Sequence, residues 1–214
     1  MENKVKIIVA DDLKSSRGLF VATIKLNPRY HLEREFETAE AALEYLEGHD
    51  VDLVIMDVMM REGVDGLVAA ERIKATKPFI KVILATGSAE SKWMERAREI
   101  GVESFWYKEY SDEELSDVIQ RTLAGESVYP VKVPDLPFGD TMKSALTERE
   151  LDVLRELTAG YSNQEIADRL GISINTVRTH IINMVNKTGY ESRFDLALNA
   201  KALGVVVGST KKGE

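Results

Sequence analysis

Cysteine is absent from the 214 residues, so the chain has no disulfide and no thiolate metal site. Histidine occurs three times, at His31, His49 and His180, too scattered for a zinc centre. No apolar run approaches the roughly 20 residues that span a bilayer, and the opening Met1-Glu-Asn-Lys-Val-Lys leads into a strand pattern without a signal-peptide core. A soluble, cytoplasmic protein without a membrane partner is expected. There is no glycine-rich phosphate loop and no dinucleotide fingerprint, which excludes the usual nucleotide-dependent phosphotransferases. Proline is sparse, and three of the five prolines fall within residues 125–146, the composition of a linker between domains.

What is present is an ordinary globular composition, 44% apolar and 30% charged, at a length that allows one large or two small domains. The net charge of −8 is unevenly spread. Residues 1–124 carry 17 Lys+Arg against 24 Asp+Glu, whereas residues 143–214 carry 10 against 9. The last third escapes the acidity of the rest without becoming basic, so charge alone does not mark a nucleic-acid binder.

The stretch Val51-Asp-Leu-Val-Ile-Met-Asp57 is a nearly continuous apolar run bracketed by acidic residues, the pattern of a strand buried on both faces of a parallel sheet. Strand and helix patterns alternate around it. Val5-Lys-Ile-Ile-Val-Ala10 reads as a first strand ending in Asp11-Asp12. Helical spacing follows over 13–26, a weak strand over 30–36 and a helix over 38–47 opened by Thr38. Beyond Asp57 come a helix near 65–76, a strand over 81–85 ending in Thr86-Gly87, a helix near 90–100 and a strand over 103–107 ending in Lys108. Ser111-x-x-Glu114 has the form of a capping box and predicts a helix over 112–124. Five such alternations predict an α/β domain over 1–124, a five-stranded, doubly wound parallel sheet covered on both faces.

Four of the five strand patterns end in polar groups: Asp11-Asp12, Asp57, Thr86 and Lys108. A parallel sheet brings those ends to one edge, where ligands of open α/β sheets bind. Three carboxylates are hard oxygen ligands suited to Mg²⁺, and a hydroxyl and an ammonium facing them suit an anion. These are the parts of a phosphoryl-transfer site, in which an aspartate can itself take the phosphoryl group, and Asp57 on the central strand is the candidate. Taken singly, each residue has an ordinary structural reading, since an Asp after a strand is commonly a helix N-cap. The expectation rests on the set.

That set, namely Asp11-Asp12, Asp57 with Met60 three residues on, Asp65-Gly66, Thr86-Gly87 and Lys108, resembles the receiver domain of two-component signalling over residues 3–124. The resemblance implies that a sensor histidine kinase phosphorylates Asp57. It further implies that Asp11, Asp12, Asp57 and the backbone carbonyl of Met59 hold Mg²⁺, that Thr86 and Lys108 contact the phosphoryl oxygens, and that Phe105 is an aromatic switch residue. The chain departs from the family pattern in three places. The loop between Asp57 and Asp65 is one residue longer and has Arg61 where proline is common. Glu109 replaces the proline that usually follows the lysine, and Phe105 lacks a hydroxyl.

After the linker, 125–145, the rhythm becomes purely helical. Thr147-x-x-Glu150, Ser162-x-x-Glu165, Ser173 and Ser192-x-x-Asp195 each open a helix, and Gly160, Gly171, Gly189 and Gly204 stop them, giving a small four-helix unit with a helix-turn-helix at Leu170-Gly-Ile-Ser173. In the third helix Val177, Ile181, Met184 and Val185 recur at helical spacing, while Asn175, Arg178, Thr179, Ile182 and Asn186 form the opposite stripe, a face of hydrogen-bonding groups suited to the major groove. His180 beside it reads as a packed histidine. Leu146-Thr-Glu-Arg-Glu, Gly160-Tyr-Ser-Asn-Gln-Glu-Ile-Ala and Thr176-Val-Arg-Thr-His-Ile resemble the LuxR-type DNA-binding domain over residues 146–207. By that resemblance Arg178 and Thr179 are groove contacts, Asn175, Thr176 and Lys187 contact phosphates or flank the site, and residues 192–203 serve as a dimer contact. Ile182 departs from the small polar or basic residue frequent at its position. Residues 208–214 read as a disordered tail.

Together the two resemblances imply a response regulator of the NarL/FixJ class. Such a protein binds double-stranded promoter DNA, is activated by phosphorylation of Asp57 with Mg²⁺, and forms a homodimer when phosphorylated. It accepts and hydrolyses its own phosphoryl group without being a metabolic enzyme. Two other readings make different demands. A phosphotransferase would turn over a free phosphorylated metabolite, and an interaction module that switches without phosphate would regulate normally after loss of its acceptor.

Overall fold

Residues 4–60 and 63–208 are described by a computed structural model; Arg61 and residues 209–214 of the expected tail lie outside them. The chain forms two compact units, Met1–Gly87 with Ser91–Lys132, and Ser88–Glu90 with Val133–Glu214.

The first unit alternates strand and helix: β1 (Val5–Ala10), α1 (Lys14–Leu26), β2 (Tyr30–Phe36), α2 (Ala39–Gly48), β3 (Leu53–Asp57), α3 (Gly66–Thr76), β4 (Lys81–Thr86), α4 (Ser91–Ile100), β5 (Ser104–Tyr107) and α5 (Leu115–Leu123). The strands pair in parallel in the order β2-β1-β3-β4-β5. All five residues of β3 are buried, as its unbroken apolar run requires. Short polar side chains cap α2 and α3: Thr38 accepts from Ala41 N at 3.3 Å and Asp65 from Val68 N at 2.8 Å. The winding reverses between β1 and β3, so their carboxyl ends flank the switch point of the sheet. Beneath it, Ile7, Val9, Ile55 and Ile83 pack with Phe20, Ile24, Val118 and Ile119, each burial contributing roughly 1.5–3 kcal/mol. In β2 the register with β1 shifts so that Ile7 faces Leu32 and Ile8 faces Arg34, skipping Glu33.

The capping box expected at Ser111 does not form. Helix α5 starts at Leu115, its N-cap Glu114 makes no side-chain cap bond, and Ser111 Oγ accepts only from Glu113 N at 3.4 Å. The Ser111 N–H, which the box would bond to Glu114, donates instead to the Tyr107 carbonyl at 3.2 Å, and the Trp106 indole donates to the Glu113 carbonyl at 2.9 Å, so bonds back to β5 hold this stretch as a turn.

The segment expected as a linker divides at 132/133. Val128 bridges Ser104 in parallel, accepting from Phe105 N at 2.9 Å and donating to Glu103 O at 3.2 Å, which covers the outer edge of β5. Residues 136–142 instead form a hairpin, β6 (Pro137–Phe138) and β7 (Thr141–Met142), with Leu136 and Phe138 buried in the core of the second unit. Each side is ordered because its apolar residues have a core to enter.

That second unit holds α6 (Glu148–Thr158), α7 (Asn163–Leu170), α8 (Ile174–Thr188) and α9 (Arg193–Ala202). Every expected cap is realised: Thr147, Ser162, Ser173 and Ser192 accept from the N–H three residues on, and the first two form complete capping boxes. Leu151, Leu154, Leu157, Ile166, Val177 and Met184 make the core. The β6–β7 turn closes on the C-terminus of α8, where Asp140 N donates to Thr188 O at 2.9 Å. Gly139 (φ 63°) leaves no room for a Cβ beside the Thr188 carbonyl, and Gly189 (φ 72°) none beside the Asp140 carboxylate.

Candidate functional site

Three strands deliver the charged residues to one place. β1 runs out into Asp11 and Asp12, β3 ends on Asp57, and β5 is followed by Lys108, whose N–H donates to Thr86 O at 2.9 Å. The Lys108 ammonium lies 2.6 Å from Asp57 Oδ1 and 2.5 Å from Asp11 Oδ2. Asp57 is only 4% exposed and Asp11 is fully buried, while Asp12 is half-buried. Asp11 is fixed further, since its Oδ1 accepts from Leu13 N at 2.8 Å. Its carbonyl accepts from Arg17 Nη1 at 2.7 Å. Thr86 is buried at the end of β4, one residue beyond Ala85, the partner of Asp57 in the sheet. Gly66 lets the loop after β3 close, because a Cβ there would collide with the Asp57 carbonyl.

Burial pushes the Asp57 carboxyl up to about 7; Lys108 works against this, and the carboxylates of Asp11 and Asp12 add to it. Three carboxylates against one ammonium leave the pocket with excess negative charge. Asp11, Asp12 and Asp57 each offer an oxygen, all within 4.8 Å of one another. This oxygen-only set fits a hard divalent cation such as Mg²⁺ and offers nothing to a soft one. Met59 follows two residues after Asp57 with its side chain exposed. Phe105 is buried in an aromatic row, its ring 5.4 Å from that of Tyr107 and 6.3 Å from that of Tyr129. Tyr129 is held by a bond to the Val102 carbonyl and by the Arg98 guanidinium 4.5 Å over its ring.

Arg17 was not visible from the strand ends. It is buried on the inner face of α1 with Phe20 and Ile24, pairing with Glu37 at 2.6 Å while holding the Asp11 carbonyl. The available signal was a cation at an otherwise apolar helical spacing.

The third helix of the second unit presents the second candidate surface. Val177, Ile181 and Met184 face the core, and Asn175, Arg178, Thr179, Ile182 and Asn186 are all exposed. Thr176 is half-buried and bonds the Ser173 hydroxyl at 2.8 Å; His180 is half-buried beside the stripe. Lys187 stands apart from the stripe. Its ammonium bonds Glu150 at 2.7 and 3.0 Å and the Ala145 carbonyl at 3.0 Å, tying the end of α8 to the start of α6. Burial acts to raise the Glu150 carboxyl, but hydrogen bonds from Lys187 and Thr147 outweigh it and hold the group below its ordinary value.

Comparison with known proteins matches residues 7–120 to the response regulator receiver domain and residues 144–200 to the bacterial regulatory proteins of the luxR family. The response regulator protein VraR of Staphylococcus aureus is 33% identical over 204 residues, 92% of this chain and 96% of that protein. Among solved structures, RcsB of Salmonella enterica serovar Typhimurium, bound to a promoter in the presence of the phosphomimetic BeF3−, aligns over 95% of this chain and 100% of its own, with a TM-score of 0.59 and 23% identity. A structure of two RcsB dimers bound to two parallel DNAs aligns over the same shares with a TM-score of 0.58 and 23% identity. At that identity the solved structures show the fold.

Proposed function

The chain belongs to the two-component response regulators of the NarL/FixJ class, DNA-binding regulators that join a receiver domain to a LuxR-type helix-turn-helix, and on that premise we propose that Asp57 is its phosphoacceptor and α8 its DNA-reading helix. The observation that carries the first half is Lys108, which brings Asp57 and Asp11 from separate strands onto one ammonium. An Asp57 carboxylate oxygen attacks the phosphorus of the kinase phosphohistidine. The P–O bond forms as the P–N bond breaks, and the electron pair leaves with the imidazole, which is then protonated from solvent. Lys108 is placed to pass from the Asp57 carboxylate to a phosphoryl oxygen, and the Thr86 hydroxyl to bond another. Asp11, Asp12, Asp57 and the Met59 carbonyl are the groups for Mg²⁺, which when bound neutralises charge on the transferring group. Hydrolysis of the aspartyl phosphate resets the site, with no metabolite turned over.

In the second unit Arg178 and Thr179 contact base edges. Asn175, Thr176 and Ile182 lie against the groove or its walls, and Lys187, its ammonium held by Glu150 and the Ala145 carbonyl, flanks the site from the helix end. Promoter DNA and a histidine kinase are the partners, and the cytoplasm, which cell fractionation checks, is where both are met. The RcsB dimers on DNA support a homodimer here; its formation on phosphorylation is part of the proposal, and sedimentation with and without BeF3− and Mg²⁺ measures it.

Labelling by a small phosphodonor such as acetyl phosphate, read by intact mass, tests the acceptor. One phosphate is expected on the wild type, and none on Asp57→Ala or after chelation of Mg²⁺. Equal labelling of the variant sinks the assignment. On the DNA side, Arg178→Ala is expected to cost about 1–3 kcal/mol on a cognate site and little on random duplex. Equal weakening of both would make Arg178 a phosphate contact.

A further inference from the structure

The outward stripe of α8 is not uniform in chemistry. At its start Arg178 Nη1 donates to Asn175 Oδ1 at 3.3 Å, so a cationic fork and an amide act side by side. One turn on, the surface becomes apolar. Thr179 Oγ1 donates to the Asn175 carbonyl at 3.0 Å, which commits its proton to the helix and leaves a methyl group and a lone pair to present outward. Ile182, four residues after Arg178 and three after Thr179, is 58% exposed, while its neighbour Ile181 is in the core. An isolated exposed isoleucine is unremarkable on most surfaces. Here it lies in the middle of a row of base-reading groups, where the helical spacing makes it the neighbour of both Arg178 and Thr179.

The base edges of the major groove carry one apolar group, the C5-methyl of thymine. We propose that Ile182, with the methyl group of Thr179, reads a thymine methyl on the same side of the site as a guanine read by Arg178. The inference rests on α8 being the DNA-reading helix and adds the base chemistry that the helix selects. Four helical residues advance about 6 Å against a rise of about 3.4 Å per base step. The thymine therefore falls about two base pairs from the guanine.

The test uses the full chain. Duplexes are selected from a random pool, and the enriched site is resynthesised with deoxyuridine in place of thymine, which removes only the methyl group. Wild type is expected to enrich a guanine and a thymine at that offset and to lose about fourfold in affinity per contacted methyl, the factor for burying one group of that size. Ile182→Ser is expected to bind the thymine and deoxyuridine probes alike; a urea melt checks that this surface substitution leaves the fold intact. An equal loss in Ile182→Ser assigns the effect to DNA shape and overturns the proposal. So does a wild type indifferent to the methyl, and if Arg178→Ala still loses the selected preference in that case, α8 stands as the reading helix and only the thymine assignment falls. Failure to enrich any sequence overturns the reading helix and this inference together.

Discussion

Asp57 is buried where an ionised carboxylate is expensive, and the proposed phosphoacceptor role gives a reason for a carboxylate to stand there. Its pKa is raised from the ordinary carboxylate value of about 3.9 to about 7. A carboxyl raised in this way favours the folded state while protonated, below both values, and that stability is lost as pH rises from about 4 through about 7. In chelator, Asp57→Asn is therefore expected to match wild type near pH 4 and to be the more stable by about 1–3 kcal/mol at pH 8, measured by urea unfolding. A constant difference across that range would place the cost elsewhere than ionisation. The residues of this pocket were legible in the sequence because Asp, Asp, Thr and Lys at four strand ends are chemically unusual as a set. Arg17 was not, since its role depends on which way α1 faces. Nor was the Glu150–Lys187 pair, which joins residues 37 apart in the chain.

At the scale of elements, local signals succeeded where nothing distant competed with them. The caps at Thr147, Ser162, Ser173 and Ser192 are short-range bonds written within four residues, and all form. Ser111-x-x-Glu114 carries the same pattern and fails, the Ser111 N–H donating back to the Tyr107 carbonyl of β5 and the Trp106 indole to the Glu113 carbonyl. The β6–β7 hairpin was hidden for a related reason: its two strands have two residues each, too few for any periodicity. Its importance lies in the close approach of Gly139 to the Thr188 carbonyl. Gly171, in the helix-turn-helix, also has a positive φ of 65° but open space around the missing side chain. Gly171→Ala should thus cost only the left-handed penalty of about 1–2 kcal/mol. Gly139→Ala should cost distinctly more, since the turn must also move off α8. Comparable losses for the two in urea melts would show that the hairpin does not lock the helix.

For the whole molecule, composition and alternation told of two domains, but the boundaries they suggested, 124 and 146, fall inside ordered structure. Val128 and Tyr129 complete the first unit, and Leu136 and Phe138 complete the core of the second. A fragment ending at residue 132 is accordingly expected to be more stable than one ending at 124 by about 1.5–3 kcal/mol, the value of burying a valine-sized side chain alone. Equal midpoints in urea for the two fragments would contradict this. Proline content could not locate the boundary because prolines also suit hairpin edges, as Pro137 does.

Val128 bridges the start of β5, and among the described residues the other margin of the sheet, along β2, is unpaired. That strand reads Tyr30-His-Leu-Glu-Arg-Glu-Phe36, and Glu33 slips the register beside Arg34 and Glu35. Another extended chain docking there would meet a kinked margin crowded with charge of both signs. An edge of that kind disfavours pairing of one copy with the next along β2.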